Sequence, residues 1–335
     1  MELNKLSAYD FFLPKELIAQ RPAEPRDSSR LMVVKDNEIE HRIFREIINY
    51  MRSGDLLVAN DTRVIKARIF GRKPTGGKVE ILLAERVEEN VWKCLLRGKK
   101  IREGLKIKIG DVECCVMGRD DNFFVVKFPE NPLSIAERYG EMPVPPYIKK
   151  PLKKDEEYQT VYARKEGAIA APTAGLHFTR ELLSEIERKG VRILHITLHV
   201  GYGTFSPVKT EDITKHRMHA EYYEISEEVA EEINSRDRDS RVFAVGTTTL
   251  RALESSSQNG KIIPSSGFTD LFIYPGYRFL SPVNALITNF HLPRSTLIML
   301  VCAFGGYERI MRAYRIAIEK KYRFFSFGDA MLIFR

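Results

Sequence analysis

The feature that most constrains the fold of this 335-residue chain is a change of pattern between residues 64 and 128. Short runs in which apolar and polar residues alternate follow one another there, separated by glycine and charged residues. The runs cover residues 79–83, 91–95, 105–109, 112–117 and 123–128. Strands of this length and spacing predict a small β-barrel or sandwich.

Residues on both sides of this region follow a different pattern, in which buried strands alternate with helices. Residues 191–200 have the alternation of a strand, and residues 307–322 have the periodicity of an amphipathic helix. The proline-rich residues 141–148 predict a stiff connector that returns from the β region. We therefore predict a mixed α/β fold, in which a large α/β domain (residues 1–63 and 147–335) carries an inserted small β-barrel-like domain (residues 64–146).

Two shorter predictions concern the ends of the chain. Residues 13–20 predict a short helix with Pro14 in its first turn. The aromatic residues 322–327 predict a final strand.

Charge and cysteine content limit the classes of function. The net charge of +8 favours a polyanionic partner. The densest basic cluster of the β region, called the barrel cluster below, consists of Arg97, Lys99, Lys100, Arg102, Lys106 and Lys108. The four cysteines show neither CxxC spacing nor a secreted framework, so we expect reduced thiols. Because no apolar run is long enough to span a membrane and the first residues lack the layout of a signal peptide, we expect a cytoplasmic protein.

Polar residues recur where three of the predicted strands end, at residues 60–63, 246–248 and 289–291. Ligands of α/β proteins bind at strand ends, because the sheet holds the loops there rigidly. The three segments therefore predict one composite site. Residues 247 and 248, with Arg251 one turn later, suit an anion at a helix N-terminus, although helix capping by threonine alone explains the same pattern.

Two further segments combine histidine with groups that can support it. Residues 167–179 are rich in alanine, glycine and proline and contain His177 just before a predicted helix. This pattern fits either a wall that lets a ligand approach closely or a tight turn whose histidine bonds a neighbour. His216, His219 and Glu221 lie close together in the sequence, and we rank a hydrogen-bonded acid/base cluster above a zinc site there.

A set of longer motifs, in one order along the chain, resembles a known enzyme family. In the first half they are ELIAQ at residues 16–20, RDSSRL at 26–31, NDTRV at 60–64, TGGKVE at 75–80 and APTAGLHFT at 171–179. In the second half they are HVG at 199–201, GTF at 203–205, MHAE at 218–221, AVGTT at 244–248, TNFHLP at 288–293 and FFS at 324–326. Through these motifs, from Leu13 to Ile333, the chain is similar to the S-adenosylmethionine:tRNA ribosyltransferase-isomerase family of queuosine biosynthesis.

The resemblance implies that S-adenosylmethionine is a cosubstrate that gives up its ribosyl part instead of its methyl group. The implied acceptor is 7-aminomethyl-7-deazaguanine at the wobble position of a tRNA anticodon. The implied products are epoxyqueuosine-tRNA, adenine and methionine. The resemblance implies neither a prosthetic group nor a metal.

The same resemblance makes tRNA the polyanionic partner. We expect it to contact the barrel cluster and, as a second candidate, the polar side of residues 307–322, where Arg309, Arg312 and Arg315 lie. A merely solvated helix face has the same pattern. We expect a monomer that does not associate with membranes.

Candidate roles follow from the resemblance and from the chemistry of each side chain. His177 is the first candidate for general base or acid, because a neutral imidazole transfers protons near neutral pH. The candidates for the other proton transfers, or for stabilising the sulfonium, are Asp61, His219 and Glu221. The candidates for binding the methionine carboxylate are Thr247, Thr248 and Arg251, and those for positioning the ribose or the modified base are Arg63, Asn289 and His291.

Two other functions fit parts of the sequence. An S-adenosylmethionine-dependent RNA methyltransferase would use the same cosubstrate, and the GxG at residues 201–203 follows a predicted strand, but no helix follows it. A non-catalytic RNA-binding protein would account for the charge and the small β domain. The products of a reaction with S-adenosylmethionine and substrate tRNA distinguish the three functions. Free adenine indicates ribosyl transfer, S-adenosylhomocysteine indicates methylation, and neither product indicates binding alone.

Overall fold

The computed structural model describes residues 2–36, 38–201, 203 and 208–335. Its strands, numbered along the chain, are β1 Arg30–Lys35, β2 Glu38–Ile43, β3 Leu56–Asn60, β4 Thr62–Val64, β5 Arg68–Arg72, β6 Lys78–Arg86, β7 Val91–Arg97, β8 Lys106–Ile109, β9 Val112–Asp120, β10 Phe123–Lys127, β11 Gly140–Glu141, β12 Lys165–Ala168, β13 Arg192–Leu198, β14 Glu221–Ile225, β15 Val242–Val245, β16 Ser257–Gln258, β17 Lys261–Ile262, β18 Ser265–Thr269, β19 Val283–Asn289 and β20 Ala330–Phe334. The α-helices are α1 Pro132–Tyr139, α2 Arg180–Arg188, α3 Glu227–Asn234, α4 Thr247–Ser255, α5 Thr296–Gly305 and α6 Tyr307–Glu319. Short 3-10 helices cover Leu6–Tyr9, Lys15–Leu17, Arg26–Ser28, Phe44–Tyr50, Asp155–Tyr158, Thr173–His177 and Ile213–Lys215. None of the helices in the described ranges is long and apolar enough to cross a membrane.

Two compact units divide the chain. The first consists of Met1–Thr62, Pro146–Lys165 and Ala171–Arg335, and the second of Arg63–Pro145 and Glu166–Ala170.

A nine-stranded mixed sheet forms the centre of the first unit, in the order β18-β14-β13-β3-β15-β19-β20-β1-β2. Its central strands β13, β3, β15 and β19 are parallel to one another. β3 and β15 are buried along their whole length, which explains their uninterrupted apolar sequences. The register pairs Ile196 with Asn60 and Val245 with Ile287, so the carboxyl ends of the four strands lie at one edge of the sheet.

The core on one side of this sheet is closed by α2 and by the 3-10 helix Phe44–Tyr50. Phe44, Ile47 and Ile186 have no exposed surface there. α2 begins where the sequence predicts, because the Thr179 hydroxyl accepts a hydrogen bond from the Leu182 N–H at 3.1 Å and so satisfies a donor of the first turn.

A closed six-stranded barrel forms the second unit. Its strands follow the order β5-β6-β7-β10-β9-β8, and β8 pairs back with β5 through Lys108 and Arg72. Along β6 every second residue from Val79 to Leu83 is buried, as the alternation requires. A Cβ on Gly71 would come within 2.5 Å of the Ile107 side chain, so glycine permits the close approach of β5 and β8. The predicted mixed α/β fold with a β-barrel is confirmed.

Two predictions for the ends of the chain need correction. Residues 13–20 form only one 3-10 turn, Lys15–Leu17. The predicted final strand at residues 322–327 is wrong, because the last strand is β20. Phe325 has a φ of 72°, which interrupts extended backbone. The aromatic run has a different function, since Phe324 packs against Phe290 with ring centroids 5.0 Å apart.

Candidate functional site

A cavity of about 460 Å³ opens in the first unit where β15 and β19 end. This volume lies in the range of sites for small organic ligands. Two of the predicted strand-end segments, residues 246–248 and 289–291, lie together in its wall. The lining residues are Tyr147, Ala171, Pro172, Thr173, Ala174, Val200, Val208, Gly246, Thr247, Thr248, Thr288, Asn289, Phe290, His291, Leu292, Pro293, Arg294, Ser295, Leu297, Phe325 and Ser326.

Gly246 turns the chain from β15 into α4. Its φ of 93° lies in the left-handed region that favours glycine, and its N–H donates to the Ile287 carbonyl at 2.7 Å. Thr247 and Thr248 follow as the first residues of α4 and line the cavity. A helix N-terminus carries partial positive charge and unpaired N–H groups, so this wall suits an anionic group of a ligand.

Asn289 is fixed in the cavity wall by three hydrogen bonds. Its Oδ1 accepts from the Thr173 hydroxyl at 3.1 Å. Its Nδ2 donates to the Phe325 carbonyl at 3.2 Å and to Nε2 of His177 at 3.1 Å. Both amide hydrogens are therefore used inside the protein, and Oδ1 keeps a second lone pair for a ligand.

His177 lies behind Asn289 and does not line the cavity. Because its Nε2 accepts from Asn289, the neutral ring carries its proton on Nδ1 and donates it to the Ser29 hydroxyl oxygen at 2.7 Å. The ring stacks on Phe44 with centroids 4.9 Å apart. Burial, followed by the charge of Arg323, lowers the pKa of His177 from 6.5 to about 3. Both ring nitrogens are engaged, so direct proton transfer to a ligand would require a hydrogen bond to break.

His291 is the imidazole that lines the cavity. Its Nε2 lies 2.8 Å from the Thr288 hydroxyl, and its backbone N–H donates to the Tyr314 hydroxyl at 2.9 Å. Burial lowers the pKa of His291 from 6.5 to about 3, so the ring is neutral at physiological pH. Within the described part of the chain, its Nδ1 makes no hydrogen bond and is left for a ligand.

The third strand-end segment adjoins the cavity wall, because Nδ2 of Asn60 also lies within hydrogen-bond distance of the Thr248 hydroxyl, at 3.4 Å. Asn60 joins β3 to the end of β13, since its Oδ1 accepts from the Leu198 N–H at 3.0 Å and its Nδ2 donates to the Leu198 carbonyl at 2.8 Å. Asp61 accepts from the Thr197 hydroxyl at 2.8 Å and pairs with Arg164 at 3.0 Å. Asp61 is buried and does not line the cavity.

Glu221 and Arg251 form a buried ion pair, and neither lines the cavity. Arg251 also donates to the carbonyls of Leu271 at 3.1 Å and Thr269 at 3.4 Å. The second oxygen of Glu221 accepts from the Gly201 N–H at 2.8 Å. The donors of Arg251 are thus directed into the protein, which argues against the contact with a ligand carboxylate that its sequence position suggests.

The remaining candidates lie elsewhere. His219 is exposed and packs against Gly203, where a Cβ would come within 2.5 Å of the imidazole ring. Arg63 belongs to the second unit, and its Nε is 3.9 Å from Glu166. Residues 204 and 205 of the GTF motif lie outside the described residues. Among the residues described, no group of three His, Cys, Asp or Glu side chains could hold a metal ion.

The candidates chosen from the sequence omit the hydroxyl residues that orient the site. Three hydroxyl residues each form a hydrogen bond with one of the polar side chains described above. Ser29 bonds His177, Thr173 bonds Asn289, and Thr288 bonds His291. Thr288 directly precedes Asn289, and Thr173 lies in the same motif as His177, so the sequence held a signal for both. Ser29 lies in a polar loop that gives no sign of its contact with a histidine 148 positions away.

Comparison with known proteins identifies the family to which the chain is similar. A family model described as queuosine biosynthesis protein matches residues 6–333. The chain is 53% identical over 336 residues to the S-adenosylmethionine:tRNA ribosyltransferase-isomerase of Thermotoga petrophila, which covers 98% of this chain and 99% of the relative. It is 54% identical over 340 residues to the protein of the same name from Symbiobacterium thermophilum, with the same coverage.

A solved structure extends the similarity to the fold. The crystal structure of S-adenosylmethionine tRNA ribosyltransferase from Thermotoga maritima matches with a TM-score of 0.57 and 43% identity, and covers 97% of this chain and 99% of that one. The chain belongs to the queuosine biosynthesis protein family.

Proposed function

We propose that this chain is an S-adenosylmethionine:tRNA ribosyltransferase-isomerase. It transfers and isomerises the ribosyl part of S-adenosylmethionine onto 7-aminomethyl-7-deazaguanine at the tRNA wobble position, and releases adenine and methionine. The observation that carries the proposal is the similarity, at 53% identity over 98% of the chain, to relatives with that name. The cavity supports it, because it offers polar, uncharged groups in a space suited to a small organic cosubstrate.

The proposed chemistry needs a base for the acidic carbon beside the sulfonium, a neutral attacking amine and a proton for the departing adenine. We assign the base role to His291, because its imidazole lines the cavity and its Nδ1 has no hydrogen-bond partner among the described residues. The lowered pKa makes the ring a weak base, so the step depends on the acidity of the carbon beside the sulfonium. Thr247 and Thr248, at the positive end of α4, are suited to the methionine carboxylate. Asn289 is suited to a ribose hydroxyl, since its Oδ1 can accept one more hydrogen bond.

The other candidates keep supporting roles in this proposal. His177 acts through Asn289, whose amide it orients. Asp61 fixes the end of β13 through Thr197. Glu221, neutralised by Arg251, holds the backbone at Gly201, beside the cavity residue Val200. His219 remains a candidate for a proton transfer or for stabilising the sulfonium, and Arg63 for positioning the ribose or the modified base.

We propose tRNA as the partner and the barrel cluster as one of its contact surfaces. All six members of the cluster are exposed. Arg309 is a poor second candidate, because its guanidinium donates to the carbonyls of Gly305, Asp36 and Phe334. Contacts with phosphates release counterions, so affinity for tRNA should fall steeply with added salt. We expect a monomeric, cytoplasmic enzyme.

One incubation tests the reaction. The protein is mixed with S-adenosylmethionine and tRNA that carries the aminomethyl-deazaguanine, and the small products are separated. Free adenine and methionine in equal amounts are expected, and tRNA with unmodified guanine is the control that should give neither. S-adenosylhomocysteine would instead indicate a methyltransferase, and RNA binding without any product would indicate a non-catalytic protein.

A further inference from the structure

A row of three aromatic rings, none of which lines the cavity, crosses one side of the nine-stranded sheet. His199 follows β13, Tyr222 lies on β14 and Phe268 on β18, the outermost strand of the sheet within the described residues. The rings of His199 and Tyr222 stack at 5.6 Å between centroids with 24° between their planes. Tyr222 and Phe268 are paired across the two strands, and their rings meet edge to face, with centroids 5.8 Å apart and 72° between their planes.

The row is open to solvent at its outer end. Phe268 is 72% exposed, although the cost of leaving a large apolar side chain in water favours burial. Tyr222 and His199 are half-buried. Burial lowers the pKa of His199, so its ring is a neutral flat surface at physiological pH. The three rings therefore form an uncharged aromatic row, in which His199 and Tyr222 are stacked and half-buried and Phe268 stands exposed at an angle to them.

Positive side chains adjoin the inner end of the row. Nδ1 of His199 lies 2.8 Å from the Thr62 hydroxyl. The residue before Thr62 is Asp61, and its carboxylate pairs with Arg164. The Arg164 side chain is 64% exposed. Lys165 is 49% exposed and reaches Glu224 on β14, on the same side of the strand as Tyr222. An aromatic platform flanked by exposed cations is the arrangement that binds single-stranded nucleic acid, in which bases stack on rings and phosphates meet the cations.

We propose that His199, Tyr222 and Phe268 form a stacking platform for unpaired bases of RNA. This inference rests on the proposed function, which makes the RNA a tRNA and the unpaired bases those of its anticodon loop. Stacking needs only the flat face of a base, so the platform contributes affinity without reading sequence. The alternative occupant of this surface is a second copy of the chain, which would pair with the free edge of β18. The experiment below distinguishes RNA binding from such a dimer.

Variants at Phe268 test the proposal. Phe268→Ala removes an exposed ring and should leave the fold intact, and Phe268→Trp retains a stacking surface. Phe12→Ala is the matched control, because Phe12 is 84% exposed in the same unit but lies outside the row. The measurement is the affinity of each protein for an anticodon stem-loop RNA at fixed salt, with sedimentation velocity of the free proteins.

The expected result is a loss of affinity of about 5- to 100-fold for Phe268→Ala, the range for one base–aromatic stack, with recovery in Phe268→Trp and no change in Phe12→Ala. The slope of log Kd against log salt should stay that of the wild type, because no charge is removed. Unchanged affinity in Phe268→Ala would overturn the platform, as would a wild-type dimer that this variant dissociates. Release of adenine by the wild type is measured separately, so a failed platform and a failed enzymatic assignment give different results.

Discussion

Two layers of polar residues meet at the carboxyl edge of the central sheet. The cavity wall contains Thr247, Thr248, Asn289 and His291, and the supporting layer behind and beside it contains His177, Asp61, Glu221 and Arg251. Each layer has one buried histidine, and burial lowers the pKa of both rings from 6.5 to about 3. The two rings differ in their hydrogen bonds: both nitrogens of His177 have partners in the described structure, whereas Nδ1 of His291 has none.

The comparison teaches that a strongly shifted pKa does not by itself identify a reactive imidazole. Burial produces the same shift in a ring that supports its neighbours and in one that faces a ligand. The number of hydrogen-bonding atoms left unused separates the two cases. Substitutions in the wall should therefore change turnover at nearly constant stability, and substitutions in the supporting layer should change mainly stability.

The largest expected effect is on turnover in His291→Gln. Glutamine fills similar space but cannot act as a base near neutral pH, so kcat should fall about 100- to 10,000-fold, the usual contribution of a general acid or base. S-adenosylmethionine should still bind with an affinity within about twofold of the wild type, because the walls at Thr247 and Thr248 are untouched. Single-turnover release of adenine and equilibrium binding measure the two quantities.

The matched control is His41→Gln, a half-buried histidine of the same unit that bonds the Tyr322 hydroxyl at 2.7 Å. Its turnover should equal that of the wild type. If His291→Gln retains normal turnover, the wall does not supply the base, and the contrast between the two histidines has no catalytic meaning.

The next effect is on stability, in Arg251→Met. Removing the guanidinium leaves the buried Glu221 carboxylate without its counter-charge, which should lower the free energy of unfolding by about 3–5 kcal/mol. The double variant Arg251→Met with Glu221→Gln should recover much of that loss, because no unpaired charge is then buried. Urea unfolding of the wild type, Arg251→Met and the double variant measures the three free energies of unfolding.

The same variants separate the two layers. If Arg251 binds the cosubstrate, Arg251→Met should lose affinity for S-adenosylmethionine in the folded protein, and the double variant should not regain it. We expect unchanged affinity in both, as for any residue of the supporting layer.

The sequence predicts the location of the site better than its inner arrangement. Strand ends at residues 246–248 and 289–291 are recognisable because apolar runs stop at polar residues, and parallel pairing brings such ends together. Glycine at position 246 and the cap at Thr179 are local signals that give helix starts correctly. The barrel is predictable for the same reason, since alternation is a local property.

The direction of each side chain depends on distant partners and is not local. His177 is bonded by Ser29, and Arg251 by Glu221, across separations that no pattern encodes. The false strand at residues 322–327 has a similar cause, because aromatic residues that fill a core have the composition of a strand. Spacing therefore predicts which residues gather at the edge, and only tertiary contacts decide which of them face a ligand.

The smallest expected effect concerns a property that the two histidines share, the dependence of stability on pH. A histidine whose pKa is about 3 in the folded chain and about 6.5 in the unfolded chain contributes stability that is fully present above pH 6.5 and is lost as pH falls towards 3. His177→Gln removes one such contribution and keeps groups that can bond Ser29 and Asn289. Between about pH 7 and about pH 5, its free energy of unfolding should fall by about 2 kcal/mol less than that of the wild type. Urea unfolding at both pH values measures the difference. Equal losses in the two proteins would mean that folding does not lower the pKa of His177, so that its burial does not have the effect assigned to it.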